Sequence, residues 1–141
     1  MPNYTGKSIG RYHIIEPLGQ GGMAAVYRAF DTNLERDVAV KVIRRESFSP
    51  DTLEKVLKRF EREAKTLARL THPNIVSVID YGDYDGAPYL VMPYLPGGTL
   101  KQRLGQALHP LQAARLLAPI ADALAYAHGQ GVIHRDVKPA N

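Results

Sequence analysis

Cysteine is absent from this 141-residue chain, which excludes disulfides and any metal site built on thiolates, and fits a reducing compartment. No apolar run is long enough to span a bilayer: the most apolar stretch, residues 113–127, is interrupted by Arg115, Pro119 and Asp122. The first seven residues, Met1-Pro2-Asn3-Tyr4-Thr5-Gly6-Lys7, lack the apolar segment of a secretory signal. Repeats and low-complexity tracts are lacking as well. Charge is nearly balanced, with 18 Lys and Arg against 14 Asp and Glu for a net +4. That suits an anionic ligand but is too mild to indicate nucleic acid or a membrane surface, and no base-reading motif is present. His13, His72, His109 and His128 show no metal-ligand spacing and read as structural or exposed. The length allows one domain with a real core.

What is present divides into two textures. Tyr12 to Leu18, Ala25 to Phe30 and Arg36 to Ile43 read as strands separated by the turns Gly19 to Gly22 and Asp31-Thr32-Asn33. Ser49-Pro50-Asp51 opens a helix, with Glu54 three residues after Asp51 in capping-box fashion, running to about Leu70. His72-Pro73-Asn74 ends it. Ile75 to Tyr81 and Pro88 to Met92 read as two further strands around the turn-rich Gly82-Asp83-Tyr84-Asp85-Gly86. Pro93, Pro96, Gly97 and Gly98 then cluster as a linker would, and helical patterns follow. Thr99 with Gln102 forms a capping box for a short helix. A longer one after Pro110 carries Leu116, Leu117, Ile120 and Leu124 on one face, with a bend expected at Pro119.

Three features carry chemistry. Gly19-Gln20-Gly21-Gly22-Met23-Ala24-Ala25-Val26 fits G-x-G-x-x-[G/A]-x-V, either a glycine-bearing hairpin turn or a loop whose backbone can approach phosphates. A dinucleotide fold would need a helix after the glycines, whereas Val26 to Phe30 is strand-like. Lys41 is the only charge in Val38-Ala39-Val40-Lys41-Val42-Ile43 and shares a face with Ala39. It either snorkels to solvent or has an anionic neighbour. On the first helix, Val56, Phe60, Leu67 and Leu70 mark an apolar stripe whose remaining position is held by Glu63. An acid there needs a partner, either Arg59 four residues back or Lys41 across the strand–helix interface.

The last eight residues, His134-Arg135-Asp136-Val137-Lys138-Pro139-Ala140-Asn141, set an acid, a cation and an amide at fixed offsets. With the glycine loop, Lys41, Glu63 and Tyr89 to Leu95 in order, the chain from about residue 9 to its end resembles eukaryotic-type protein kinases. Arg59 to Ala64, His72 to Val76 and His134 to Asn141 are most similar to bacterial serine/threonine kinases of the membrane-receptor type. The resemblance implies that Asp136 accepts the substrate hydroxyl proton, Lys138 reaches the transferring phosphate, and Asn141 holds Mg²⁺. It implies a Lys41–Glu63 ion pair that sets the lysine against the ATP phosphates. The nucleotide would lie among Leu18, Gly19, Gly21, Gly22, Ala24, Val26, Ala39, Lys41 and Met92, with the Pro93 carbonyl and Leu95 N–H meeting the adenine. His134 reads as a packing and hydrogen-bonding residue.

The expected fold is α+β: a kinase-like N-lobe of a five-stranded antiparallel sheet and one helix, followed by the first helices of an incomplete α-helical C-lobe. The expected divisions are a tail at 1–10, the N-lobe at 11–92, a linker at 93–98 and the start of the C-lobe at 99–141. The expected function is ATP- and Mg²⁺-dependent transfer to Ser/Thr hydroxyls of a protein substrate, with no nucleic acid and no membrane contact within the chain. The expected location is cytoplasmic, any membrane anchor lying outside this segment. Two rivals stand beside it. Arg135 and Lys138 argue against a small-molecule phosphotransferase; the other is a kinase-like binding module without catalysis. Because a second metal carboxylate and the peptide-docking helices would follow Asn141 in this family, the chain alone is expected to be inactive.

Overall fold

The computed structural model describes residues 3–141. Two compact units divide them: one runs to Arg69 and takes in Ser77–Tyr94, and the other joins Leu70–Val76 to Leu95–Asn141.

The first unit is a six-stranded antiparallel sheet and one long helix. Its strands are β1 (Ser8–Ile9), β2 (Tyr12–Gln20), β3 (Ala24–Asp31), β4 (Arg36–Ile43), β5 (Asp80–Tyr84) and β6 (Ala87–Pro93), in the spatial order β1-β2-β3-β4-β6-β5. Five were expected; β1, two residues long, is too short to show a pattern in sequence. The β3–β4 turn forms because the Asp31 carboxylate accepts the N–H groups of Asn33 and Leu34, at 3.0 and 3.2 Å.

The period of two sorts β3, β4 and β6 onto two faces. Ala25, Tyr27, Ala29, Val38, Val40, Val42 and Val91 join Tyr12 and Ile14 in one buried core. Tyr4 closes on it edge-to-face with Tyr27, ring centres 5.8 Å apart. On the opposite face Ala24, Ile43 and Leu90 pack against Phe60 and Ala64 of α1 (Pro50–Leu67). Val26 and Lys41 are register partners on that second face.

Several local expectations need correction. The Asp51/Glu54 capping box does not form. Ser49 precedes the helix in extended conformation, its hydroxyl meets Thr52 Oγ1 at 3.0 Å, and Glu54 is taken by Lys58 at 2.6 Å. The strand expected over Ile75 to Tyr81 starts late, with β5 beginning at Asp80. Ile75 is still engaged in the turn after His72, its N–H bonding the His72 carbonyl. The turn between β5 and β6 shrinks from five residues to Asp85-Gly86, at φ 52° and 75°. Positive φ at both positions is the twist-matched two-residue hairpin that an Asp-Gly pair favours.

In the second unit, α2 (Leu100–Arg103) starts at the expected Thr99/Gln102 capping box. His109 and Gln112 form an unexpected second one ahead of α3 (Pro110–Gly129), which contains Pro119. The leucine face predicted for α3 is not its buried one: Ala123 and Ala127 are buried, whereas Leu116 and Leu117 are exposed. The small residues let residues 70–76 lie close, with the Thr71 N–H on Tyr126 Oη at 3.0 Å and His72 Nε2 on Asp122 Oδ2 at 2.9 Å. Among the described residues, no helix is long and apolar enough to cross a membrane.

Candidate active site

In the first unit, β2 and β3 deliver the glycine loop, β4 delivers Lys41, and α1 delivers Glu63. These converge on one cavity of about 470 Å³, lined by Gly19 to Ala24, Val26, Lys41, Ile43, Val56, Arg59, Phe60 and Glu63. The loop turns tightly, the Gly21 N–H donating to the Ala24 carbonyl at 2.9 Å. Lys41 is half-buried between its register partners Val26 and Leu90. Its ammonium makes no hydrogen bond or ion pair among the described residues.

Glu63 lines the same cavity but is bound elsewhere. Its Oε1 accepts from Arg59 Nε at 2.9 Å, and its side chain is 58% exposed. The sequence reading of Glu63 as a member of the buried stripe is therefore corrected. The stripe runs through Val56, Leu57, Phe60 and Ala64, and at 3.6 residues per turn Glu63 falls on its flank. That position allows the acid to reach back to Arg59 without burying charge.

The remaining predicted wall residues lie outside this cavity. Ala39 is buried and pairs with Met92, on the same strand as Lys41. Leu18 is exposed on β2, and Pro93 closes β6 opposite Val38. Leu95 belongs to the second unit and is 60% exposed.

The second unit holds the terminal loop. The Asp136 carboxylate lies 2.9 Å from Lys138 Nζ. That hydrogen bond and charge, aided by Asn141 and His134, hold its pKa below the usual carboxylate value. The Asp136 N–H donates to His134 Nδ1 at 3.2 Å, and Asn141 Nδ2 donates to the Asp136 carbonyl at 2.6 Å. The Lys101 N–H secures the loop at the Pro139 carbonyl, 2.8 Å away. Arg135 sits at φ 67°, a left-handed conformation costing an arginine roughly 1–2 kcal/mol, of the kind that clusters at functional sites. With Asn141 Nδ2 committed to the backbone, its Oδ1 is left as an acceptor, the hard oxygen donor that Mg²⁺ prefers. Among the described residues, no group of three or more His, Asp and Glu could by itself hold a metal ion.

The family model for the protein kinase domain matches residues 12–141. The chain belongs to the protein kinase family. Serine/threonine-protein kinase PrkC of Bacillus subtilis is 44% identical over 139 residues, covering 96% of this chain and 21% of that protein. Serine/threonine-protein kinase pkn3 of Myxococcus xanthus is 42% identical, covering 98% and 25%. The chain thus spans about a fifth to a quarter of the curated relatives it matches. Among solved structures, the apo form of PpkA-294 superposes with a TM-score of 0.87 at 30% identity, covering all of this chain and 56% of the other. The kinase domain of Mycobacterium tuberculosis PknI gives 0.79 at 32% identity, covering 100% and 58%.

Sequence reasoning missed two cations near the kinase glycine loop. Arg59 enters that reasoning only as a partner for Glu63, yet its position four residues earlier also brings it to the cavity. Arg44, the first residue after β4, bonds the loop's carbonyls; nothing in its sequence context marks it apart from other surface arginines.

Proposed function

We propose that the polypeptide carrying this chain is an ATP-dependent serine/threonine protein kinase. Residues 11–92 would act as the N-lobe, 93–98 as the linker and 99–141 as the start of the C-lobe. The observation that carries the reading is the single cavity shared by the glycine loop, Lys41 and Glu63. Backbone N–H groups and an ammonium without a partner among the described residues, in one concave site, fit the phosphates of a nucleotide. Ala39 and Met92, side by side on the same sheet face, suit the adenine end.

In the reaction, the hydroxyl oxygen of a protein serine or threonine forms a bond to the γ-phosphorus as the bond to the ADP oxygen breaks, and the hydroxyl proton passes to Asp136. A carboxyl held below its usual pKa is ionised at neutral pH and available as the acceptor. Lys138, already 2.9 Å from Asp136, can follow the transferring group. Asn141 Oδ1 would hold Mg²⁺, which when bound neutralises charge on the phosphate oxygens. Arg135 and Lys138 favour a protein hydroxyl over a small-molecule acceptor.

A second reading, a nucleotide-binding module without transfer, is favoured by one observation: Glu63 is held by Arg59 and Lys41 has no partner among the described residues. On that geometry the 141-residue chain by itself binds nucleotide weakly and transfers nothing. Titrating the isotope-labelled chain with Mg²⁺–ATP tests the shared premise. Amide resonances of Gly19 to Ala24 and Lys41 should shift together; shifts confined to other segments would contradict it.

A further inference from the structure

β4 ends at Ile43, and the next residue holds the tip of the glycine loop at two points. The Arg44 N–H donates to the Met23 carbonyl at 3.0 Å, and its guanidinium Nη1 donates to the Gly21 carbonyl at 3.1 Å. Its Nε lies 3.4 Å from Glu46 Oε1, and only 17% of its side chain is exposed. Among the described residues, residues 21–23 are otherwise held by one hydrogen bond, from the Gly21 N–H to the Ala24 carbonyl.

We infer that Arg44 is a positioning residue for the nucleotide, acting through the loop rather than by contact. The inference rests on the reading of the cavity as the nucleotide site. Arg44 does not line that cavity, but it directly follows the strand that carries Lys41, so one rigid element sets both the lysine and the loop. By engaging the carbonyls of Gly21 and Met23, it fixes the Gly21–Gly22 and Met23–Ala24 peptide units, one on each side of the unit that joins Gly22 to Met23. The N–H groups of Gly22 and Met23 have no protein acceptor among the described residues, and the space a Gly22 side chain would fill is open. A concavity of oriented, unbonded N–H groups is the form that receives phosphate oxygens. Holding it before the ligand arrives removes an ordering cost from binding. Glu46 engages the same guanidinium at Nε, which limits where it can swing.

The test uses Arg44→Met and Arg44→Lys in the polypeptide as its gene encodes it. Three quantities are read: the KM for ATP against kcat, the amide exchange of Gly21, and the thermal midpoint. Arg44→Met should raise the KM for ATP about tenfold, the worth of one charge-assisted hydrogen bond, with kcat little changed. Gly21 exchange should accelerate while β3 and β4 stay protected and the midpoint holds. Arg44→Lys, which keeps the charge but not the fork, should fall between. Unchanged KM and Gly21 exchange would overturn the inference. So would faster exchange across the whole sheet with a fallen midpoint, which marks a purely structural role. A parent protein that binds no ATP while Arg44→Met still frees Gly21 would overturn the nucleotide assignment and, with it, the ligand part of the inference, leaving the loop clasp established.

Discussion

Glu63 is bonded to Arg59, one helical turn before it on α1, and not to Lys41, although all three side chains line one cavity. The pair is largely solvent-exposed, and an exposed i,i+4 pair is worth only about 0.3–0.5 kcal/mol. A nucleotide drawing Lys41 toward its phosphates could readily outcompete it. Arg59→Ala should therefore raise the affinity for Mg²⁺–ATP about twofold by releasing Glu63, measured by calorimetric titration. A fall of tenfold or more would mean that Arg59 itself holds the ligand.

Lys41→Met removes a half-buried ammonium with no partner among the described residues, so the fold should not suffer. The thermal midpoint is expected to stay level or rise, because no bond is lost and a desolvated charge is removed. Phosphoryl transfer by the polypeptide as its gene encodes it should drop by roughly two orders of magnitude or more, since electrostatic positioning supplies most of the catalysis. Transfer near the parent rate would remove Lys41 from the phosphate site.

Asp136 provides a pH prediction. Its folded pKa is depressed, first by the hydrogen bond and charge of Lys138. The stabilisation from a depressed acid is fully present above the unfolded-state value and is lost as pH falls through the lower folded value. The Asp136–Lys138 contact should thus be intact at neutral pH, outlast the ordinary carboxylate midpoint as pH falls, and be lost as pH passes through the lower folded value. Carboxyl-carbon NMR should give a midpoint under the ordinary value, and Lys138→Met should move it back up. A midpoint unaffected by that substitution would separate the two residues.

Gly82 on β5 faces Tyr89 on β6 in register. A side-chain carbon at Gly82 would lie 2.6 Å from the tyrosine Cζ and 2.9 Å from Cε1, too close for a ring held in the sheet. Gly82→Ala should destabilise the first unit by about 1–3 kcal/mol, the usual cost of overpacking, read from denaturant unfolding. An unchanged midpoint would show that the ring swings away freely.

Much of this was legible in the sequence because local chemistry agreed with the final packing. β4 matches its expected bounds at Arg36 and Ile43, since β-branched residues on both faces leave little alternative. Lys41 was conspicuous as the one charge within Val38 to Ile43. The Thr99/Gln102 box was readable because both halves lie within one turn. What failed depended on distant partners. Ile75, Val76 and Val78 have strand composition, yet the turn after His72 defers the strand to Asp80. Leu116 and Leu117 outweigh Ala123 and Ala127 in hydropathy, but the alanines admit close neighbours. Glu63 looks buried when Leu67 and Leu70 define the stripe, but the residues that pack are Leu57 and Ala64 with Val56 and Phe60, which turns the buried face away from it. Arg44 was invisible because its role exists only once β4 ends beside the glycine loop.

The most direct measurement is transfer of labelled γ-phosphate from Mg²⁺–ATP to a protein substrate by the polypeptide as its gene encodes it, compared between the parent and Asp136→Asn. If Asp136 accepts the hydroxyl proton, label should appear on serine or threonine. The substitution should then cut turnover by about 10²–10⁴-fold, the range for a positioned general base, while the affinity for Mg²⁺–ATP stays within about twofold. Transfer at the parent rate by Asp136→Asn, or a loss explained entirely by failure to bind ATP, would contradict it.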